Sequence, residues 1–184
     1  MHHLPNIVTI LRFLLVLPAG LFILRGQYDW AFAVFVLAGI SDGIDGALAR
    51  TFGWTSRFGA VADPIADKLL VAVVYVALAS EGLLPIWLAV LVLGRDLLIV
   101  AGALAYHCFV AELEMEPTLL GKLNTLANVV FVGLVLAMLA APAFAWLEPA
   151  VATGIWVMAA VTIVSGADYV RIWTMRAWRR GGQS

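Results

Sequence analysis

Four aspartates stand in two pairs at helical spacing. Asp42 and Asp45 are three residues apart near the end of one apolar stretch, and Asp63 and Asp67 are four apart near the start of the next. Residues three or four apart share one face of a helix. A short connection can bring the two stretches back antiparallel, so all four carboxylates can converge. The small residues that continue these faces are Gly46, Ala49 and Gly59.

Such a cluster is costly unless something neutralises it. A carboxylate at the centre of a membrane helix costs about 2.5–3.5 kcal/mol on insertion scales, and four like charges also repel one another. An all-oxygen set without His or Cys suits hard cations such as Mg²⁺ or Mn²⁺. Two such divalent cations would neutralise four aspartates and leave positions open for phosphate oxygens. The spacing therefore predicts phosphate chemistry on two divalent cations.

Individual members of the cluster also have structural interpretations. Asp63 before Pro64 fits a helix N-cap followed by proline at the first helical position. Asp42 or Asp45 could pair with Arg50, and a nearby G-x-x-x-G pattern is typical of helix packing. None of these interpretations accounts for the whole set.

The helices that must position the aspartates lie in a very apolar chain. Of its 184 residues, 64% are hydrophobic and 12% are charged, whereas soluble domains carry about 25% charged residues. Mean hydropathy is +1.01, and a net charge of −1 gives no electrostatic basis for binding nucleic acid. We expect an all-α, polytopic membrane protein forming a single domain over residues 1–184. Six transmembrane helices are predicted, at residues 7–24, 30–50, 61–80, 84–107, 119–141 and 146–170.

The basic residues predict how these spans are oriented. Six spans place both termini on one side, and ten of the eleven Lys and Arg residues then fall on that side, with Arg25 alone opposite. Because cytoplasmic segments are enriched in Lys and Arg, both termini are expected in the cytoplasm. The acidic residues divide in the same way. The site is thus expected to face the cytoplasm from the inner membrane of a bacterium.

The acidic motif resembles a known signature. It reads Asp42-x-x-Asp45-Gly46-x-x-Ala49-Arg50, then, after eight residues, Gly59-x-x-x-Asp63-x-x-x-Asp67. At every fixed position this motif resembles the signature of the CDP-alcohol phosphatidyltransferases. The six-span layout also resembles that family, so the resemblance covers nearly the whole chain.

This resemblance implies roles for the residues of the motif. The four aspartates, Asp42, Asp45, Asp63 and Asp67, would hold a dinuclear metal site, and Asp67 would also act as general base. The CDP pocket would be lined by Gly46, Ala49, Arg50 and Gly59. The expected donor is CDP-diacylglycerol, the surroundings are membrane lipid, and the expected assembly is a homodimer.

Other charges inside the spans point to the acceptor. We expect Arg95 and Lys122 to bind a phosphate of the acceptor, with Asn6 and Arg12 as further candidates. Each basic residue has a structural alternative: Arg95 could be neutralised by Asp96, Lys122 could extend to the interface, and Arg12 could anchor there. We disfavour the Arg95–Asp96 pair because adjacent residues point to different sides of a helix.

Two branches of the family fit these acceptor residues. The chain resembles CMP-forming cardiolipin synthases in Arg95-Asp96, Pro117-Thr118, Lys122 and Asn124-Thr125. It resembles phosphatidylglycerophosphate synthases in the run from Leu4 to Arg12 and in Ser56-Arg57-Phe58-Gly59. Many of the latter carry a second basic residue about two turns after the span-four Arg, and residues 97–106 contain none. We therefore favour phosphatidylglycerol as acceptor, with glycerol 3-phosphate as the alternative.

Two other classes of protein could also carry aspartates in apolar helices. A cation transporter could use the aspartates as an ion path, although transporter sites usually lie near the membrane midplane on broken helices. A purely structural membrane protein would leave the aspartates unexplained.

Overall fold

The computed structural model describes the backbone of residues 4–52, 57–109 and 118–181, and the side chains of residues 14–41, 68–102, 118–172 and 174–175. Within these ranges all regular structure is helical, as predicted. The six α-helices are α1 (Leu4–Leu24), α2 (Tyr28–Phe52), α3 (Arg57–Ser80), α4 (Ile86–Phe109), α5 (Leu119–Ala140) and α6 (Glu148–Gly181). A short 3₁₀ helix, Pro142–Leu147, joins α5 to α6.

Each predicted span falls on one of these helices. The differences are at the ends, where α3 begins at Arg57 rather than at residue 61 and α6 continues to Gly181 rather than ending at residue 170. Hydropathy marks the apolar part of a helix, whereas the helix itself continues as far as its backbone hydrogen bonds do.

Two tight turns connect helices at one end of the bundle. Gly26 has φ of 68° and donates from its backbone N–H to the carbonyl of Ile23, and Gln27 donates to Phe22. Gly82 has φ of 71° and, with Leu83, repeats the same pair of bonds after α3. This is the Schellman ending of a helix, which requires the left-handed conformation that glycine adopts without strain.

The helices pack around a continuous apolar core. In the described residues α1 lies against α2 and α3, α5 lies against α2 and α6, and α4 lies against α3 and α6. Ile23, Tyr75, Leu78, Leu88 and Leu136 are completely buried at these contacts. The core therefore joins all six helices rather than separate pairs.

The outer surface of the bundle is also apolar. Many Leu, Val and Ile side chains are exposed, among them Leu17, Leu97 and Leu126. Within the described residues, two segments are long and apolar enough to cross a membrane by length and composition, Leu119–Ala140 and Pro142–Ile172, and other apolar stretches are shorter.

Exposed tryptophans mark one end of the bundle. Trp30 and Trp87 lie in the first turns of α2 and α4, and Trp146 lies just before α6, each with 45–72% of its surface exposed. Because short connections join α1 to α2, α3 to α4 and α5 to α6, these three positions fall at the same end. Tryptophan is enriched where a membrane protein meets the interface.

Close helix contacts lead to a first prediction. A Cβ added at Gly154 of α6 would lie 2.8 Å from ring atoms of Phe131, which is buried on α5. Gly154→Ala is therefore expected to lower the free energy of unfolding by about 1–3 kcal/mol, the usual cost of overpacking. The measurement is thermal unfolding of the purified protein in detergent.

The matched control is Gly94→Ala on α4. A Cβ at Gly94 meets nothing within 4 Å, so this change should be neutral or stabilising, because alanine is the better helix former. Equal melting temperatures for both variants would contradict the close α5–α6 contact.

Candidate active site

The backbone places all four aspartates inside helices. Asp42 and Asp45 lie in the second half of α2, and Asp63 and Asp67 lie in the first half of α3. Since α3 begins at Arg57, Asp63 is well inside the helix and the N-cap interpretation is wrong. The four side chains lie outside the described residues, so their convergence stays a prediction.

The other residues of the motif have the same standing. Gly46, Ala49 and Arg50 have their backbones in α2, and Gly59 has its backbone in α3. The backbones of the acceptor candidates Asn6 and Arg12 lie in α1. The environment of these residues lies outside the described ranges, and their roles stay predictions.

A cavity of about 330 Å³ lies next to the acid-bearing segments. Gly39, three residues before Asp42, lines it from α2, and Lys68, directly after Asp67, lines it from α3. Asp96 of α4 and Asn124 of α5 complete the wall, together with apolar side chains such as Leu70, Val71 and Val129. The cavity is thus bounded by both helices that carry the motif.

A group of charged and polar side chains joins α3, α4 and α6 beside this cavity. We call it the Arg95 cluster, and its members are Lys68, Arg95, Asp96, Ser165 and Tyr169. The Arg95 Nη1 donates to Asp96 Oδ1 at 2.6 Å, and Nη2 donates to Ser165 Oγ at 2.5 Å. The guanidinium carbon lies 5.4 Å from the centre of the Tyr169 ring, a cation–π distance. The Lys68 Nζ lies 3.4 Å from the same Asp96 Oδ1.

The cluster corrects one expectation. Arg95 and Asp96 are adjacent, and we expected their side chains to diverge, yet they form an ion pair. A long arginine side chain can bend back along its helix, so adjacency at Cα does not exclude contact at the guanidinium. Arg95 is only 7% exposed, whereas Lys122 lies exposed in the first turn of α5. In the described part of the chain α4 and α5 do not pack directly together. Arg95 and Lys122 therefore lie on helices that are not in direct contact.

A second, uncharged network ties α5 to its neighbours. The Tyr75 hydroxyl of α3 donates to Asn128 Oδ1 at 2.9 Å, and the Thr162 hydroxyl of α6 donates to Asn124 Oδ1 at 3.2 Å. Asn128 Nδ2 donates to the backbone carbonyl of Asn124. All four residues are buried, and both asparagines line the cavity. Buried polar groups paired in this way fix the positions of wall side chains.

Three wall residues were missed as site candidates in the sequence. Lys68 is a lysine directly after the motif's final aspartate, at the start of an apolar run, and that position was a usable signal. Asn124 and Asn128 are four apart on an apolar helix, so they share a face. That spacing predicts a polar stripe, but not which helix it meets.

The comparisons with known proteins agree with the motif. Residues 2–175 match the family model for CDP-alcohol phosphatidyltransferase. The chain therefore belongs to the CDP-alcohol phosphatidyltransferase family, and the resemblance seen in the sequence is confirmed.

Relatives from two branches are similar to the chain. The CMP-forming cardiolipin synthase of Homo sapiens is 29% identical over 180 residues, covering 89% of this chain and 59% of the relative. The probable phosphatidylglycerophosphate synthase of Mycobacterium tuberculosis is 35% identical over 178 residues, covering 91% of this chain and 80% of the relative. This chain thus spans less than two thirds of the human cardiolipin synthase.

A solved structure shares the fold. It is the crystal structure of Mycobacterium tuberculosis phosphatidylinositol phosphate synthase with CDP-DAG bound, with a TM-score of 0.63. The alignment covers 92% of this chain and 85% of that one at 19% identity, so the likeness is one of fold.

The buried hydroxyl of Tyr75 gives a second prediction. Tyr75→Phe removes the donor to Asn128 and leaves a buried amide oxygen without that bond, which costs about 1–3 kcal/mol. We expect a lower melting temperature, measured on the purified protein. The control is Thr153→Ala, whose exposed hydroxyl bonds within its own helix. A Tyr75→Phe variant as stable as this control would show that the network contributes nothing measurable.

Proposed function

We propose that this chain is an integral membrane enzyme that transfers a phosphatidyl group from CDP-diacylglycerol to the hydroxyl of phosphatidylglycerol, giving cardiolipin and CMP. One observation carries the proposal: the complete family motif lies on α2 and α3, the two helices that also line the cavity through Gly39 and Lys68.

The donor set fits two divalent cations, Mg²⁺ or Mn²⁺. Asp42, Asp45, Asp63 and Asp67 supply only carboxylate oxygens, the ligands these hard cations prefer. When bound, the ions would offset the charge of the donor diphosphate and of the departing CMP. The small residues of the motif, Gly46, Ala49 and Gly59, would leave room for the nucleotide.

The chain's own groups account for the remaining steps. Asp67 takes the proton of the acceptor hydroxyl as general base. The hydroxyl oxygen attacks the phosphorus that carries the diacylglycerol, and the bond from that phosphorus to the CMP oxygen breaks. Arg50 pairs with the diphosphate through its guanidinium. Transfer is direct, without a covalent enzyme intermediate.

The surface of the bundle supports placement in a membrane. Exposed Leu, Val and Ile side chains cover the described helices, and Trp30, Trp87 and Trp146 lie at one end. We propose that all six helices cross the bilayer with both termini in the cytoplasm, where ten of the eleven basic residues would lie. Phosphatidylglycerol can then approach laterally, and the chain acts as a homodimer.

Two acceptors are supported by different observations. The mainly apolar cavity and the pairing of Arg95 with Asp96 favour phosphatidylglycerol, a lipid with a single negative charge. The 35% identity to a probable phosphatidylglycerophosphate synthase favours glycerol 3-phosphate. In either case Lys122, Asn6 and Arg12 are proposed as acceptor-binding residues, and Arg95 is proposed to act on the acceptor through its pair with Asp96.

A direct assay distinguishes the acceptors. The purified protein is incubated with CDP-diacylglycerol, Mg²⁺ and either phosphatidylglycerol or glycerol 3-phosphate, and lipid products and CMP are quantified. We expect cardiolipin and CMP from the first mixture. Phosphatidylglycerophosphate from the second mixture, with no cardiolipin from the first, would reverse the assignment of the acceptor.

The role of the motif is tested by Asp67→Asn. Loss of a general base should lower the rate of CMP release by about 10²–10⁴-fold. For the wild type, a metal chelator should abolish CMP release, and added Mg²⁺ should restore it. Asp29→Asn is the matched control, because Asp29 is exposed in the first turn of α2, far along the same helix from Asp42. Its activity should be that of wild type. Metal flux in liposomes without CMP release would instead favour a transporter.

A further inference from the structure

One carboxylate oxygen in the Arg95 cluster serves two cations. Asp96 Oδ1 lies 2.6 Å from Arg95 Nη1 and 3.4 Å from Lys68 Nζ. Lys68 and Asp96 line the cavity. Arg95 does not line it but is ion-paired with Asp96, which does. Two positive charges and one negative charge therefore meet at this wall.

Burial divides these charges into a fixed pair and a remaining cation. Arg95 is held by Asp96, by Ser165 at 2.5 Å and by the Tyr169 ring, so its side chain is fixed. Asp96 is enough to neutralise it. The side chain of Lys68 is 40% exposed and shares a carboxylate that is already engaged. The cluster thus presents a net charge of about +1 to the cavity.

Among the described side chains, Arg95 also carries a buried nitrogen, Nε, without a hydrogen-bond partner. A buried unsatisfied donor is costly. The bonds that Arg95 makes to Asp96 and Ser165 therefore leave one of its donors unused.

We infer that Asp96 makes the site select an acceptor with a single negative charge. Its carboxylate offsets one of the two cations, which leaves the cavity wall with one positive charge. The inference rests on the proposed function and deepens it. The phosphodiester of phosphatidylglycerol carries one negative charge, whereas a phosphomonoester such as glycerol 3-phosphate carries about −1.5 to −2 at neutral pH. A wall of net charge +1 matches the first, and a wall of +2 would match the second.

The rest of the wall fits the same acceptor. Phe35, Leu70, Val71 and Val129 line the cavity with apolar groups, and Lys68, Asp96 and Asn124 line it with polar ones. A lipid headgroup can place its phosphate at Lys68 while its glycerol and first acyl carbons lie against the apolar side chains. Lys68 directly follows Asp67 in the sequence, so an acceptor held by Lys68 would lie against the helix that carries the proposed base.

The test changes the wall charge in both directions. Asp96→Asn raises the net charge to +2, Lys68→Gln lowers it to zero, and Asp96→Glu keeps it at +1. For each purified full-length variant, kcat and KM are measured with CDP-diacylglycerol and either phosphatidylglycerol or glycerol 3-phosphate. The readout is the ratio of kcat/KM for glycerol 3-phosphate to that for phosphatidylglycerol.

We expect opposite shifts from the two charge changes. Asp96→Asn should raise the ratio about tenfold, mainly by lowering KM for glycerol 3-phosphate, and Lys68→Gln should lower it about tenfold, the scale of one charge–charge interaction at a partly buried site. Asp96→Glu should keep the wild-type ratio within about twofold, far below the effect of a full charge. A loss of structure would depress both activities together and would not produce shifts of opposite sign.

Several results would overturn the inference. Shifts in the same direction for Asp96→Asn and Lys68→Gln, or no shift in either, would leave the cluster a structural one while cardiolipin synthesis by the wild type stands. If Asp96→Asn does not fold, an unchanged ratio in Lys68→Gln would by itself overturn the inference. A wild type that forms phosphatidylglycerophosphate and no cardiolipin would overturn the inference, because a wall of net charge +1 would then accept a phosphomonoester. A wild type that forms neither lipid would contradict the proposed function itself.

Discussion

A charged side chain among apolar helices must have a partner there, because removing an ion from water costs several kcal/mol. The described part of the bundle meets this constraint in the Arg95 cluster. The Lys68–Asp96 contact joins α3 to α4, and the Arg95–Ser165 bond joins α4 to α6. The four aspartates of α2 and α3 would face the same constraint if their side chains converge as predicted. Bound divalent cations are the partners that would satisfy it, so one requirement underlies both the fixed cluster and the proposed metal site.

The uncharged network complements the charged one. Tyr75 holds Asn128 from α3, and Thr162 holds Asn124 from α6, so α5 is fixed from both sides. Asn124 and Asn128 are also wall residues of the cavity. The side chains that shape the cavity are therefore supported by bonds behind them, as a preorganised site requires. The walls owe their geometry to contacts among α3, α5 and α6 rather than to any one helix.

Local patterns in the sequence predicted the helices and the family, while the roles of the site residues stay predictions. Runs of about 20 apolar residues identified all six helices, because length and hydropathy are local properties. The spacing of Asp42, Asp45, Asp63 and Asp67 identified the family for the same reason. The Arg95–Asp96 pair and the role of Lys68 depend on where long side chains end and on which helices meet. The sequence alone could not reveal these, since Lys68 and Asp96 lie on different helices and Ser165 of α6 lies 70 residues after Arg95.

The short turns at Gly26 and Gly82 have a mechanical consequence. Each turn ties two helices together within a few residues, at the end of the bundle where Trp30 and Trp87 lie. Helices tied in this way cannot separate at that end, and any relative tilt between them pivots there. Within the α1–α2 and α3–α4 pairs, displacement from such a tilt would grow towards the opposite end, where α2 reaches Phe52 and α3 begins at Arg57. A tilt within either pair would therefore open the bundle at the end that carries the aspartate motif rather than at the tryptophan end.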